Sequence, residues 1–207
     1  MRATPSLPDR IAGIAVPQDE VSEATWRWAH RTLPGYLLTH SVRAYCWGAE
    51  IGAGEGWSFD RRLLWTASLM HDVGLTRIRR NTRCFEHEGA EIARRFLARH
   101  GLPADEADRV ATAIVLHMAP SVTVADGVEA VLLDRATALD VRGEGYELVA
   151  ASRPGVMADF PRWSFDRRFL DAITREATIR PTCQNARLLH RTGLADWMAR
   201  SPWVRPG

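Results

Sequence analysis

The chain has 207 residues, of which 46% are hydrophobic, so it is long enough for one domain with a substantial apolar core. Its formal net charge is only +2, with acidic and basic residues interspersed, which disfavours a polyanion-binding stripe and a nucleic-acid partner. The sequence contains arginine but no lysine, which excludes a Schiff-base lysine and the phosphate-binding lysine of a Walker motif.

Hydrophobic residues recur at helical spacing through most of the chain, whereas alternation with a period of two is missing. Acidic residues after Pro17 mark the first helix start, Asp60 is a plausible N-cap, and Gly143 closes a later helix. We predict an all-α protein, a compact single-domain helical bundle without a sheet, with an arm at 1–18, the helical domain at 19–200 and a tail at 201–207. The predicted helices cover residues 19–33, 37–53, 60–72, 85–100, 104–118, 128–141, 146–150, 164–177 and 182–200, with a loop at 75–84 and a turn at 153–155.

The three cysteines, Cys46, Cys84 and Cys183, are far apart and form no C-x-x-C motif. An odd, sparse set argues against a disulfide framework, so we expect reduced thiols and a cytoplasmic location. The first 17 residues lack the long apolar region of a signal peptide, and no apolar run reaches the length of a membrane span. No membrane partner is therefore expected.

One apolar helix is predicted to end in an adjacent histidine and aspartate, His71 and Asp72, with Gly74 as a candidate C-cap. Neighbouring side chains on a helix point about 100° apart, so both can reach one object only if it is small and lies at the helix end. A metal ion satisfies this condition. His40 and His117 lie on the apolar faces of two other predicted helices, so they also point toward the core.

A zinc-like ion takes three or four nitrogen and oxygen ligands and leaves a position open for water. His40, His71, Asp72 and one later carboxylate would supply such a set. The later carboxylate is either Asp140, on the apolar flank of its helix, or Asp134, which is followed directly by an arginine and fits a solvated surface acid. The position on the helix face favours Asp140.

Glu86 lies at the edge of the apolar stripe of the predicted 85–100 helix. It could have a raised pKa there and move protons, or it could be a first-turn acid favoured by the helix dipole. His87 falls on the opposite side of this helix, which disfavours it as a ligand unless the helix starts later. The loop before the helix is basic, and solvent exposure is favoured over an anion site there. Its arginines are Arg77, Arg79, Arg80 and Arg83.

The sequence has a histidine, then an adjacent His-Asp pair, then a distal aspartate. This order resembles that of the HD-domain superfamily of metal-dependent hydrolases, and more closely that of its cyanamide hydratase-like branch. The resemblance covers roughly residues 25–190. It is carried by H-S-x-R-x-Y at 40–45, L-x-H-D-x-G at 69–74, F-E-x-x-G-A at 85–90, A-I-x-L-H at 113–117 and D-x-x-G at 140–143.

The resemblance implies a helical hydratase or hydrolase that holds one divalent metal, with zinc preferred and iron or manganese as alternatives. Cyanamide hydratase adds water across a C≡N bond to make urea, so a metal-activated water would attack a small nitrile-like or C–N substrate. A proton donor would then serve the nitrogen, and His117 or Glu86 is the candidate. The implied metal ligands are His40, His71, Asp72 and Asp140, and the implied catalytic residues are His117, Glu86 and Asp72.

Two other enzymatic hypotheses are kept. An HD-type nucleotide phosphohydrolase would hold phosphate with the arginines between 77 and 83. A two-metal oxygenase would use His87 and His117. In two-metal members of the superfamily, however, one histidine of the second metal site typically stands four residues before the Gly-Ala pair, and that position is Phe85 in this sequence. A helical module with a structural metal is the non-enzymatic alternative. The expected partner is a small-molecule substrate, and homo-oligomerisation is left open.

Overall fold

The structure, a computed structural model, describes residues 5–77, 83–191 and 193–203. Over these ranges the chain forms a bundle of α-helices with one two-stranded antiparallel hairpin, β1 (Arg10–Ile11) and β2 (Ile14–Ala15), so the predicted all-α fold is confirmed. The helices are α1 (Glu20–Thr32), α2 (Gly35–Gly54), α3 (Arg61–Met70), α4 (Phe85–Arg99), α5 (Ala104–Leu116), α6 (Val128–Arg142), α7 (Arg153–Asp159), α8 (Phe165–Ile179), α9 (Gln184–Arg191) and α10 (Leu194–Arg200).

Capping residues set several helix boundaries as the sequence indicates. The Asp19 carboxylate accepts hydrogen bonds from two backbone N–H groups in the first turn of α1, at 3.0 and 3.1 Å. Asp60 does the same for α3, at 2.8 and 3.2 Å. Gly143 ends α6 in the left-handed region with φ 79°, a conformation that glycine adopts without a steric penalty. These polar contacts fix where the helices start and stop.

Three local predictions are wrong. The residues predicted as a turn at 153–155 begin α7, because Pro154 in a first turn removes only an N–H that has no helical partner. The predicted helix at 182–200 is divided into α9 and α10, with Gly193 at φ 67° before α10. The predicted absence of a sheet is also wrong, because residues of the predicted arm form the β-hairpin, and Tyr45 holds it against the bundle by donating a hydrogen bond to the Ala15 carbonyl at 2.6 Å. The domain boundaries stay a prediction.

Gly74 has a different role from the predicted C-cap. The helix α3 ends at Met70, and after His71 and Asp72 the chain continues as a short 3-10 helix over Val73–Arg77. A Cβ at position 74 would overlap the carbonyl oxygen of Phe85, the first residue of α4. Glycine is therefore required for the close approach of two backbones, and this approach fixes α4 against the segment that follows His-Asp. The remainder of the predicted 75–84 loop, residues 78–82, lies outside the described residues.

The interior of the bundle is built on α2, which packs against α3 and α6, while α4 packs against α5. From Leu63 to Met70, every side chain of α3 is buried. Because this part of α3 is buried, the residues that follow it lie near the centre of the molecule. The His-Asp pair is therefore in the core. No helix in the described ranges has both the length and the hydropathy to cross a bilayer.

The expectation of reduced thiols is wrong for two cysteines. Cys84 and Cys183 form a disulfide, with Cα atoms 5.6 Å apart although 99 residues separate them in sequence. Cys84 precedes α4 and Cys183 precedes α9, so the bond ties together the starts of two helices. Cys46 keeps a buried free thiol. The cytoplasmic location, which was inferred from reduced thiols, stays a prediction.

Candidate metal centre

Three helices bring four predicted site residues to one point. His40 lies in the first half of α2, His71 and Asp72 follow the end of α3, and His117 follows the end of α5. All four side chains are buried, with exposed fractions between 1% and 6%. The His40, His71 and Asp72 side chains have ligand atoms within 4.8 Å of one another, a spacing that could hold one metal ion.

The protonation of the histidines can be read from their Nδ1 partners. His40 Nδ1 donates to the Asp140 carboxylate at 2.7 Å, and His71 Nδ1 donates to the Ser68 carbonyl at 2.7 Å. Both Nε2 atoms are therefore directed into the site, 3.2 Å from each other. Two nitrogen lone pairs at this distance repel unless a proton or a metal ion lies between them. This arrangement fits a metal with two imidazole ligands, each held by a hydrogen bond from its other nitrogen.

Asp72 supplies an anionic oxygen beside these nitrogens. Its Oδ2 lies 3.2 Å from His71 Nε2 and 3.6 Å from His40 Nε2, without hydrogen-bond geometry to any described residue. Burial opposes the charge on Asp72, but the neighbouring His71 outweighs this effect and lowers the pKa of Asp72 to about 2. Burial also opposes a charge on His71, and the Asp72 carboxylate outweighs it and raises the pKa of His71. The site therefore favours a cation among these atoms.

His117 borders the same point. Its Nδ1 donates to the Ile114 carbonyl, which leaves Nε2 directed toward Asp72, 3.8 Å from Oδ1. Burial and the nearby His71 lower the pKa of His117 to about 3. The ring is neutral at physiological pH, so Nε2 has a lone pair that can accept a proton or bind a metal.

Asp140 lies behind His40 instead of among the ligand atoms. Its carboxylate binds His40 Nδ1, the Arg43 guanidinium at 2.8 Å and the Trp47 indole N–H at 2.9 Å. Burial opposes its charge, but Arg43 and Arg162 outweigh this effect and hold the pKa of Asp140 well below its usual range. The predicted role of Asp140 as a ligand therefore differs from its position here, where it orients His40.

Sequence reasoning missed the partners of Asp140. Arg43 follows His40 by three residues on α2, a spacing that places both on one helical face, so the sequence held a usable signal for it. Arg162 comes from the loop before α8 and lies 3.4 Å from the Asp140 carboxylate. Nothing in its local sequence indicates this contact.

Asp134 is half-buried, whereas the sequence analysis placed it at the solvated surface. It lies on the wall of the cavity described below, where burial raises its pKa to about 6. It remains separate from the group formed by His40, His71 and Asp72.

The structure does not bring Glu86 to this site. Its side chain is buried, and burial raises its pKa, an effect that the positive charge of Arg180 opposes in part. It does not line the cavity among the described residues, so the geometry gives no support for proton transfer by Glu86 to a substrate there. His87 is exposed and lines a different cavity, in agreement with its predicted position on the outer side of α4.

Two arginines of the predicted basic loop, Arg77 and Arg83, lie away from the site, because they line two other cavities. Arg79 and Arg80 lie outside the described residues.

A cavity of about 430 Å³ opens over the histidines and Asp72. Its volume is in the range of small-molecule sites. The described residues that contribute to its wall come from the metal centre, the end of α5, α6 and the C-terminal helices. They include Met118, Pro120, Asp134, Val141, Arg142, Glu144, Phe169, Ile173, Gln184, Arg187, Leu188 and Trp197.

An all-helical bundle with a buried His-His-Asp group below a cavity defines a class of metal-dependent enzymes. The HD domain family matches residues 37–142, just over half of the chain, and the chain belongs to this family. HD domains are generally metal-dependent hydrolases, which supports an enzymatic role and a divalent metal at this site. No curated protein matches the sequence significantly.

Proposed function

We propose that this HD-domain protein is a hydratase or hydrolase that adds water to a small nitrile-like or C–N substrate. The observation that carries the proposal is the convergence of the His40, His71 and Asp72 ligand atoms at the floor of the cavity. The substrate would enter through the cavity, with its reacting carbon above these residues. The cyanamide hydratase-like motifs provide the choice of reaction.

The three ligand atoms suit zinc, which in catalytic sites takes three protein ligands and leaves one position open. When bound, zinc would act as a Lewis acid and lower the pKa of water toward neutrality. The protein orients the site through the hydrogen bonds that His40 and His71 donate from Nδ1 to Asp140 and to the Ser68 carbonyl.

His117 is the proposed proton carrier. Its Nε2 is unprotonated at neutral pH and lies within the site, so it can accept the proton that water loses as the oxygen bonds to the nitrile carbon. It then returns that proton to the nitrogen, which gives an imidic acid, or an isourea from cyanamide, with a C=N double bond. The hydroxyl proton then moves to the same nitrogen as the C=O double bond forms, so every atom of water is retained in the product, a urea or an amide.

The cavity favours this reading over a nucleotide phosphohydrolase. Its described wall carries the acids Asp134 and Glu144 as well as the arginines Arg142 and Arg187, and Arg142 is paired with Glu144 at 2.6 Å. A nucleoside triphosphate would meet at least as many acidic groups as arginines there, together with much apolar surface. A two-metal oxygenase is also disfavoured, since His87 lies on another face.

Metal analysis and product analysis together test the proposal. One zinc per chain is expected, and His71→Ala should lose both the metal and the release of urea from cyanamide or of amide from larger nitriles. His190→Ala is the matched control, because His190 is exposed on α9. Two irons per chain, or phosphate released from nucleotides without any urea or amide, would overturn the proposal.

A further inference from the structure

A second cavity, of about 460 Å³, lies between α1 and α4, and its described wall shares no residue with the cavity above the metal centre. Five arginines line it, two from α1, two from α4 and one from the 3-10 helix that follows His-Asp. No acidic side chain is part of its described wall. These arginines are Arg27, Arg31, Arg77, Arg95 and Arg99.

The spacing of these arginines places like charges side by side. Arg27 and Arg31 are four residues apart on α1, and Arg95 and Arg99 are four residues apart on α4. Like charges at this spacing destabilise a helix, and here two such pairs face one cavity. An anion in the cavity would relieve the repulsion in both helices together.

The ion pairs near this cavity leave it strongly basic. Arg27 contacts Glu23 at 2.9 Å and Arg95 contacts Glu91 at 2.7 Å, both as exposed pairs within one helix. Exposed ion pairs of this kind contribute little to the stability of the protein, so a more highly charged anion can replace the glutamate as the partner of the arginine. Within the described ranges, neither Arg31 nor Arg99 has an ion-pair partner.

The floor of the cavity is aromatic. Trp28 is half-buried, and its ring centroid lies 5.9 Å from that of Phe96. His100 stands at the edge, where its Nδ1 donates to the Phe96 carbonyl at 2.8 Å, which leaves Nε2 for other contacts. Guanidinium groups around an aromatic floor suit an anion with several oxygens that is attached to a flat ring.

We propose that the cavity between α1 and α4 binds a small phosphate-bearing anion, with the guanidinium groups of Arg31 and Arg99 on its oxygens and Trp28 beside any attached ring. Arginine suits this task because its planar fork of N–H donors matches the oxygens of a phosphate. The site is independent of the metal centre and of the reaction proposed for it.

Calorimetric titration of the full-length protein at low salt tests the proposal, with inorganic tripolyphosphate and ATP as separate probes. Both should bind the wild type, more weakly at high salt because the charges are exposed. The variant Arg31→Gln/Arg99→Gln should weaken both by at least tenfold. The control Arg167→Gln/Arg175→Gln removes the same two charges from exposed positions on α8 and should bind like the wild type.

The comparison of the two probes decides whether the site also binds a ring. If ATP binds more tightly than tripolyphosphate and Trp28→Leu removes the difference, the adenine ring of ATP stacks on Trp28. Equal binding of the two probes assigns the site to phosphate alone. If neither probe binds the wild type, or if the Arg31→Gln/Arg99→Gln variant retains wild-type affinity, the proposal is overturned.

Discussion

Arg43 and Asp140 form a bidentate ion pair in the interior of the protein. Nε and Nη2 of the arginine each lie 2.8 Å from a carboxylate oxygen, and both side chains are fully buried. The same carboxylate accepts the Nδ1–H of His40 at 2.7 Å. One buried pair thus joins the stability of the core to the orientation of a proposed metal ligand.

Asp140→Asn should therefore affect both properties. It leaves the Arg43 charge without its partner, so the free energy of unfolding should fall by about 3–5 kcal/mol. Zinc affinity should fall by about 10–100-fold because the amide has only one acceptor oxygen for the donors of His40, Arg43 and Trp47, so it orients His40 less firmly. Urea denaturation and a competitive zinc titration measure the two effects. Trp47→Phe, which removes one neutral donor to the same carboxylate and leaves a small cavity at a fully buried ring, should cost about 2 kcal/mol. Wild-type zinc affinity in Asp140→Asn would contradict the orienting role.

Asp134 should make stability depend on pH. Its pKa is about 6 in the folded protein, above the ordinary value of 3.8, so the folded state holds more protons than the unfolded state between these values. Stability contributed by this group is present at low pH and is lost as the pH rises toward 6. Because the side chain is half-exposed, Asp134→Asn should raise the free energy of unfolding by only about 1 kcal/mol at pH 7.5.

The gain should disappear at pH 3, where Asp134 is largely protonated in both states. Urea denaturation at the two pH values gives the comparison. The exposed Asp171→Asn has the same charge change and should stay within about 0.5 kcal/mol of the wild type. An equal gain at both pH values would show that the effect does not arise from protonation.

The disulfide should contribute to stability through the long loop that it closes. Replacing Cys84 and Cys183 with serine should lower the free energy of unfolding by about 2–4 kcal/mol. Thiol titration of the unfolded chain should find one free thiol without reductant, from Cys46, and three after reduction. Three thiols before reduction would show that the bond does not form in the purified protein.

The approach of α4 to the segment after His-Asp requires glycine at position 74. Gly74→Ala places a Cβ against the Phe85 carbonyl and should destabilise the protein by about 1–3 kcal/mol. Gly54→Ala is the matched control, since a Cβ at the end of α2 meets no atom within 4 Å. That change should be neutral or stabilise by up to about 1 kcal/mol. Thermal and urea denaturation compare the two, and equal effects would contradict the close-approach argument.

The helices could be predicted because their signals are local. Asp19 and Asp60 cap the helices that follow them through bonds to N–H groups two and three residues away. The inward direction of His40 follows in the same way from the apolar residues beside it on α2. These features depend on spacing along one helix, which the sequence contains.

The features that could not be predicted depend on contacts between segments that are far apart in the sequence. The Asp140 carboxylate was expected among the ligands because its helix face is apolar, but its position is set by Arg43, 97 residues earlier in the chain. The bond between Cys84 and Cys183 depends on the same kind of distant packing. Glu86 is buried, but the charges that act on it include Arg180 and Glu176 at the end of α8, and it does not line the cavity among the described residues.

The helices α9 and α10 lie beyond the part of the chain that carries the proposed ligands, and they have a different role at the cavity. The proposed ligands lie within residues 37–142, while Gln184, Arg187 and Trp197 reach the same cavity from beyond that range. Changes in these C-terminal helices can therefore alter the shape and charge of the entrance without disturbing the histidines. On the proposed function, substrate preference could diverge among proteins that keep one metal centre through changes in these two helices.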